Sequence, residues 1–179
     1  MALTLWVARH AEVAADGLCY GQLDVSPRVP HRDAAARLEA DLGAFCPERV
    51  WTSPLPRCLG LATELSLRLA CPLSVEPRLL ELSFGAWEGR RWADLEAEDG
   101  ARLAAWMADW TGGRPPGGES VLELSARVEA WVASLEGGDV CVLSHSGVIR
   151  ALRVLLAGAS WREAMAGPVP FLAWERFRR

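Results

Sequence analysis
Apolar and polar positions along the chain change their period several times, and each change marks the edge of an element. Leu3-Thr4-Leu5-Trp6-Val7-Ala8 is a run of apolar and β-branched residues without an interior Gly or Pro, the pattern of a strand buried on both faces over about residues 3–9. Asp139-Val140-Cys141-Val142-Leu143 repeats that pattern, Arg49-Val50-Trp51-Thr52 is a shorter strand, and Leu73 to Val75 reads as a short strand at an edge. Between the strands the period lengthens to that of a helix. Residues 31–43 place Ala34, Leu38 and Leu42 on one face, residues 55–70 form a second helix, and residues 92–97 and 100–110 form two more, with Trp106 and Trp110 four apart. Ser120 and Glu123 make a capping box that opens a helix to about 135, with Leu124, Val128, Trp131 and Leu135 as its buried stripe. Val148 to Leu156 reads as a helix, Ser160 with Glu163 caps a short one, and Phe171 to Phe177 predicts a final strand. Strands alternating with helices predict an α/β fold of three layers, α/β/α, with a mostly parallel central sheet. No repeat or second-domain boundary interrupts the pattern, so residues 1–179 are expected to form one domain.

In such sheets ligands bind at the carboxyl edge, and several of these strands end in reactive residues. The first ends in Arg9-His10, a planar fork of donors beside a nitrogen able to act as nucleophile or proton carrier. A Gly-, Asp- and Pro-rich loop, residues 11–30, follows directly and is placed to line a site. The second strand runs into Ser53-Pro54, read as a helix start, with Arg57 in the first turn. The fourth ends in Ser144-His145-Ser146-Gly147 before a helix, whose N-terminal N–H groups face an anion. Glu81 lies on a Gly- and aromatic-marked loop, and the Gly/Pro stretch 112–118 reads as a lid or connector. Two arginines, two histidines and a helix N-terminus around one point describe a site for a dianion, most naturally a phosphoryl group.

Composition narrows the chemistry. All 19 basic residues are arginine, which removes any P-loop, Schiff-base or general-base lysine. A net charge of -4 gives no footing for nucleic acid or an anionic membrane, and no segment reads as a signal peptide or a membrane span. Five cysteines without a C-x-x-C pair and only three histidines give no metal-ligand spacing, so no metal and no cofactor are expected. The odd, unpaired cysteine set points to a reduced, cytoplasmic setting. His31 fits no motif and is expected at a helix surface, while Glu12, Glu88 and Glu119 are read equally as pocket rim or surface charge.

Four segments together resemble the histidine phosphatase superfamily, which includes the cofactor-dependent phosphoglycerate mutases. Arg9-His10-Ala11 stands for its Arg-His-Gly, Ser53-Pro54-Leu55-Pro56-Arg57-Cys58 for Ser-Pro-x-x-Arg-Ala, Leu79-Leu80-Glu81-Leu82-Ser83-Phe84-Gly85 for Leu-x-Glu-x-x-Phe/Tyr-Gly, and Ser144-His145-Ser146-Gly147-Val148 for Ser-His-Gly-Gly-Val. Gly118-Glu119-Ser120 with Arg127 downstream matches a fifth stretch. The resemblance implies a phosphoglycerate mutase-like fold and a phosphohistidine mechanism. It makes His10 the nucleophile, Arg9 and Arg57 phosphate clamps, His145 a second clamp, and Glu81 the acid that protonates the leaving oxygen, with a pKa expected to be raised. Two glycines of the pattern are replaced. Ala11 narrows the pocket if its backbone is left-handed, and Ser146 is expected to add a hydroxyl to the phosphate shell.

Within the superfamily the segments 18–25, 84–89 and 106–110 are most similar to the α-ribazole phosphatases of cobalamin synthesis. That likeness implies a small phosphomonoester substrate, α-ribazole 5′-phosphate, with Tyr20, Gly21, Gln22, Phe84 and Trp87 as substrate-binding candidates. Broad-specificity phosphatase, mutase-type phosphotransferase and protein phosphohistidine phosphatase activities remain rivals. A mere phosphoryl-binding protein is disfavoured because every catalytic position is occupied, and Ser146 lacks the G-x-S-x-G frame of a serine hydrolase. Oligomeric state is not legible.

Overall fold
The alternation in the first strand, β1 (Leu3–Arg9), decides how the layers stack. In the computed structural model, which describes residues 2–179, Leu3, Leu5 and Val7 point to one side of the sheet and Trp6 and Ala8 to the other. Four more strands join β1: β2 (Arg49–Thr52), β3 (Leu73–Val75), β4 (Gly138–Ser144) and β5 (Trp174–Arg178), in the order β3-β2-β4-β1-β5. All pairings are parallel except β1 with β5. The mostly parallel three-layer α/β/α arrangement is therefore as expected, with β3 at one edge and one antiparallel strand at the other.

The described residues form six α-helices: α1 (His31–Leu42), α2 (Pro56–Leu69), α3 (Trp92–Ala108), α4 (Val121–Ala133), α5 (Ser146–Ala157) and α6 (Trp161–Ala166). On one face Leu5, Val7, Val140 and Val142 pack with Leu124, Val128 and Trp131 of α4 and Ile149 and Leu152 of α5. On the other Val50, Cys141 and Leu143 pack with Leu38 of α1 and Leu61 and Leu65 of α2. The continuous apolar run of β4 is what a strand sandwiched between two helix layers requires. A third, smaller cluster of Cys19, Trp87 and Leu95 joins α3 to the loop after β1.

Several expectations shift in detail. The predicted helices 92–97 and 100–110 are the two halves of α3, bent at Asp99, whose carboxylate accepts the indole N–H of Trp87 at 3.0 Å. That helix stops at Ala108, so Trp110 lies beyond it. The second helix starts at Pro56, within one residue of the expected 55. A residue before proline is disfavoured in the helical region, and Leu55 is extended at φ -64°, ψ 134°. The 112–118 stretch is a packed connector, since Ala86 N–H donates to the Pro116 carbonyl at 2.8 Å and Glu119 N–H to that of Ser83 at 3.0 Å. His31 is partly buried rather than a free surface residue. Its ring lies where a side chain on Gly60 would have to be, so it seals the α1–α2 contact. Among the described residues no helix is long and apolar enough to cross a membrane.

Candidate active site
The parallel pairing of β1 with β4 brings Arg9 level with Ser144, so the residues that follow each strand emerge side by side. The His10 and His145 rings meet with centroids 5.3 Å apart at 64°. Both are buried, and burial, aided by the Arg57 and Arg9 charges, pushes the His10 pKa down to about 3. Burial likewise holds His145 well below its ordinary value, with the charges around it adding to the effect. His10 Nδ1 lies 2.7 Å from the Ala11 carbonyl. Only a protonated Nδ1 makes that contact a hydrogen bond, so the neutral ring keeps its lone pair on Nε2.

The arginines are held from behind. Arg9 Nη1 donates to the Val169 carbonyl at 3.0 Å, Nη2 to the Tyr20 hydroxyl at 3.3 Å, and its guanidinium stacks 3.7 Å from the centre of the Phe171 ring. Arg57, fully buried, donates to the carbonyls of Leu23 at 2.7 Å and Gly21 at 2.6 Å. The Nε of each is buried with no hydrogen-bond partner. An unsatisfied buried donor costs about 1–3 kcal/mol, and here there are two, on cations beside a pair of neutral histidines.

Glu81 reaches the N-terminus of α5. Its Oε1 accepts from the backbone N–H groups of Leu82 at 2.9 Å and Gly147 at 3.0 Å, and its Oε2 from the Ser146 hydroxyl at 3.1 Å. The Ser146 hydroxyl is thus directed to Glu81. A Cβ on Gly147 would overlap Glu81 Oε1, so glycine is needed at this close approach. The main chain of Glu81 is pinned as well, its carbonyl accepting from Gln22 Nε2 at 2.9 Å and Arg127 Nη2 at 3.1 Å.

The binding candidates separate. Phe84 lines a cavity that also touches Glu81, whereas Trp87 is 1% exposed and belongs to the core beneath α3, so it offers no face for stacking on a substrate. The indole is consumed by packing because α3 folds over it. Gly21 and Gln22 support Arg57 and Glu81 through backbone and amide contacts, and Tyr20 braces Arg9. Ala11 is outside the left-handed region, so its methyl imposes no backbone strain. Glu88 accepts from the N–H groups of Gln22 and Phe84, and Glu119 pairs with Arg127, which makes both parts of the scaffold, while Glu12 pairs with Arg28 at the surface.

Four residues of the site escaped the sequence reading. Ser53 Oγ lies 2.8 Å from His145 Nε2, Cys58 Sγ lies 3.6 Å from the same nitrogen, Phe171 supports Arg9 and His10, and Arg150 lines the cavity beside Glu81. Ser53 and Cys58 sat inside a recognised motif and Arg150 one helical turn past Ser146, so spacing pointed to them. Phe171 is 162 residues from Arg9 in sequence, and only the fold joins them through a bridge between the two backbones.

The sequence model of the histidine phosphatase superfamily (branch 1) matches residues 5–177. The adenosylcobalamin/alpha-ribazole phosphatase of Escherichia coli (strain K12) is 32% identical over 162 residues, 87% of this chain and 80% of that protein. The glucosyl-3-phosphoglycerate phosphatase of Mycobacterium tuberculosis (strain CDC 1551 / Oshkosh) is 33% identical over 149 residues, 76% of this chain and 66% of that one. The crystal structure of the alpha-ribazole phosphatase from Shigella flexneri superposes with a TM-score of 0.88 at 29% identity, covering 97% of this chain and 89% of its own. The chain belongs to the histidine phosphatase superfamily, branch 1, and with it to the phosphoric monoester hydrolases.

Proposed function
We propose that this phosphatase works through a phosphohistidine on His10 and that its substrate is α-ribazole 5′-phosphate. The observation that carries the mechanism is the pair of unpartnered Nε donors on Arg9 and Arg57 around an imidazole whose Nδ1 is tied to Ala11. Oxyanions of a phosphoryl group satisfy those donors, and their negative charge opposes the arginine charges that, after burial, disfavour protonation of His145, which stands beside them as a further clamp. The Nε2 lone pair of His10 forms the N–P bond while the P–O ester bond breaks towards the leaving oxygen. Glu81, as the carboxylic acid, gives that oxygen its proton. Water then attacks phosphorus, Glu81 as carboxylate takes the water proton, and the N–P pair returns to His10 Nε2. The products are the alcohol and inorganic phosphate.

Support for the substrate comes from the two enterobacterial proteins named above, which match this chain nearly end to end. The mycobacterial relative makes a phosphorylated glyceric acid the principal competitor. Phosphate release by wild type and His10→Ala is to be measured on α-ribazole 5′-phosphate, glucosyl-3-phosphoglycerate, 3-phosphoglycerate, common nucleotides and a phosphohistidine peptide. The expected outcome is preference for α-ribazole 5′-phosphate and a loss of at least about 10³-fold in the variant, since no other group replaces the nucleophile. Equal release by both proteins refutes the covalent step, and preference for another substrate refutes only the assignment of α-ribazole.

A further inference from the structure
Beside Glu81 lies a cavity of about 380 Å³, at the small end of the range of ligand sites, and it shares Glu81, Ser146 and Gly147 with the catalytic cluster. Its walls are aromatic and come from separate segments. Phe84 and Trp106 meet edge to face at 5.8 Å, and Trp110 and Trp161 at 6.4 Å. Trp161 is the first residue of α6, and the reciprocal Ser160–Glu163 cap fixes its place. Met107 and Met165 are exposed at the rim, where flexible thioethers adapt to the shape of a ligand.

Two arginines join this apolar lining, Arg162 on the exposed side of α6 and Arg150 near the carboxylate. Arg150 stands four residues after Ser146 on α5, one helical turn on, and its Nε is buried without a hydrogen-bond partner. Glu81 attracts it, while Arg9 and Arg153 repel it. Arg9 and Arg57 are held from behind by carbonyls, whereas Arg150 lines the cavity beside Glu81 with its Nε unpartnered. Glu81, in the same wall, supplies a counter-charge to Arg150. A neutral oxygen close to the ester suits the donor, and the aromatic walls suit a planar apolar body beyond it.

We infer that Arg150 donates to a hydroxyl or ether oxygen of the leaving alcohol while Trp110 and Trp161 hold its planar body, so that this cavity selects phosphate esters whose alcohol carries an aromatic ring. The inference rests on the phosphatase reading above and extends it to residues that select among esters. Trp110 and Trp161 contribute by contact area and edge-to-face geometry, Arg150 by a charge-assisted hydrogen bond in a water-poor setting.

The test compares kcat/KM of wild type, Arg150→Met, Trp110→Ala and Trp161→Ala on α-ribazole 5′-phosphate, phenyl phosphate and glycerol 3-phosphate. Arg150→Met is expected to lower the ratio of α-ribazole 5′-phosphate to phenyl phosphate about tenfold or more, mainly through KM. The tryptophan variants are expected to lower the ratio of either aromatic ester to glycerol 3-phosphate by about tenfold. A partly misfolded variant loses activity on all three esters alike and leaves the ratios intact, so the ratios report the cavity itself. Unchanged ratios overturn the inference while the phosphatase reading stands. No phosphate release by wild type from any of the three overturns the inference, and no release from the wider set of substrates above overturns the phosphatase reading as well.

Discussion

His10 owes its reactivity to one short contact and to burial. The 2.7 Å approach of Nδ1 to the Ala11 carbonyl selects the tautomer, and a pKa of about 3 keeps the ring unprotonated across the neutral range. A residue of the sequence pattern acquires a definite job at this scale only when its neighbours are known. Ser146 is the clearest case, since its hydroxyl goes to Glu81 Oε2 and Glu81 keeps two backbone donors without it. Ser146→Gly, which restores the glycine of the family pattern, is expected to cost about threefold to tenfold in kcat with little change in KM, the net worth of one hydrogen bond to a charged or reacting group. A rise in KM with kcat unchanged would instead place Ser146 on the phosphate.

Helix ends place most of the site, and each follows from local chemistry. At α5, His145 occupies the N-cap position and Gly147 presents its N–H to Glu81, so one helix terminus serves the phosphoryl site and the acid together. At α2, Pro56 takes the first helical position, which puts Arg57 in the first turn, while the Ser53 hydroxyl before it accepts from the Leu55 N–H and meets His145 Nε2. The α4 terminus is built differently. Both halves of the Ser120–Glu123 box are formed, and the helix behind them carries Arg127, which pairs with Glu119 and holds the carbonyls of Arg78 and Glu81. Ser120→Ala is expected to destabilise the fold by about 1 kcal/mol, read as a lower urea midpoint at unchanged m, with kcat/KM per folded molecule nearly unaltered. A matching loss of activity would show that the cap reaches Glu81 through Arg127. Both capping boxes were legible from residue spacing alone, because the reciprocal bonds involve only four consecutive residues. The start of α2 was legible to within one residue, whereas the approach of the Ser53 hydroxyl to His145, a contact across 92 residues, was not.

For the molecule as a whole, the buried histidines couple stability to pH. An unfolded chain protonates His10 near 6.5, whereas the fold delays this to about 3, so between those values the unfolded state holds more protons and stability rises with pH. The contribution is complete above 6.5 and is lost as pH falls towards about 3, and His145, lowered well below its ordinary value, acts in the same direction. The carboxyls of Glu76, Glu123 and Glu163, lowered by their hydrogen bonds, add acid sensitivity only below their ordinary 4.5. The urea midpoint of wild type is therefore expected to fall between pH 6.5 and 4.5, and that of His10→Asn to fall less. Parallel curves for the two proteins would show that His10 protonates as freely in the fold as out of it. The amino-acid sequence by itself determined the strands, the layer order and the four segments that meet at the sheet edge, because apolar period, caps and prolines act over a few residues. It also located His10, His145, Arg9, Arg57 and Glu81, since each follows a strand end or a marked loop. Tertiary structure alone decided which aromatic rings are free. Trp87 and Phe84 stand three residues apart, yet one is packed beneath α3 and the other lines the cavity. Phe171 reaches Arg9, Trp161 meets Trp110, and Arg150 is left with an unspent donor because distant segments converge there, and no local period encodes that convergence.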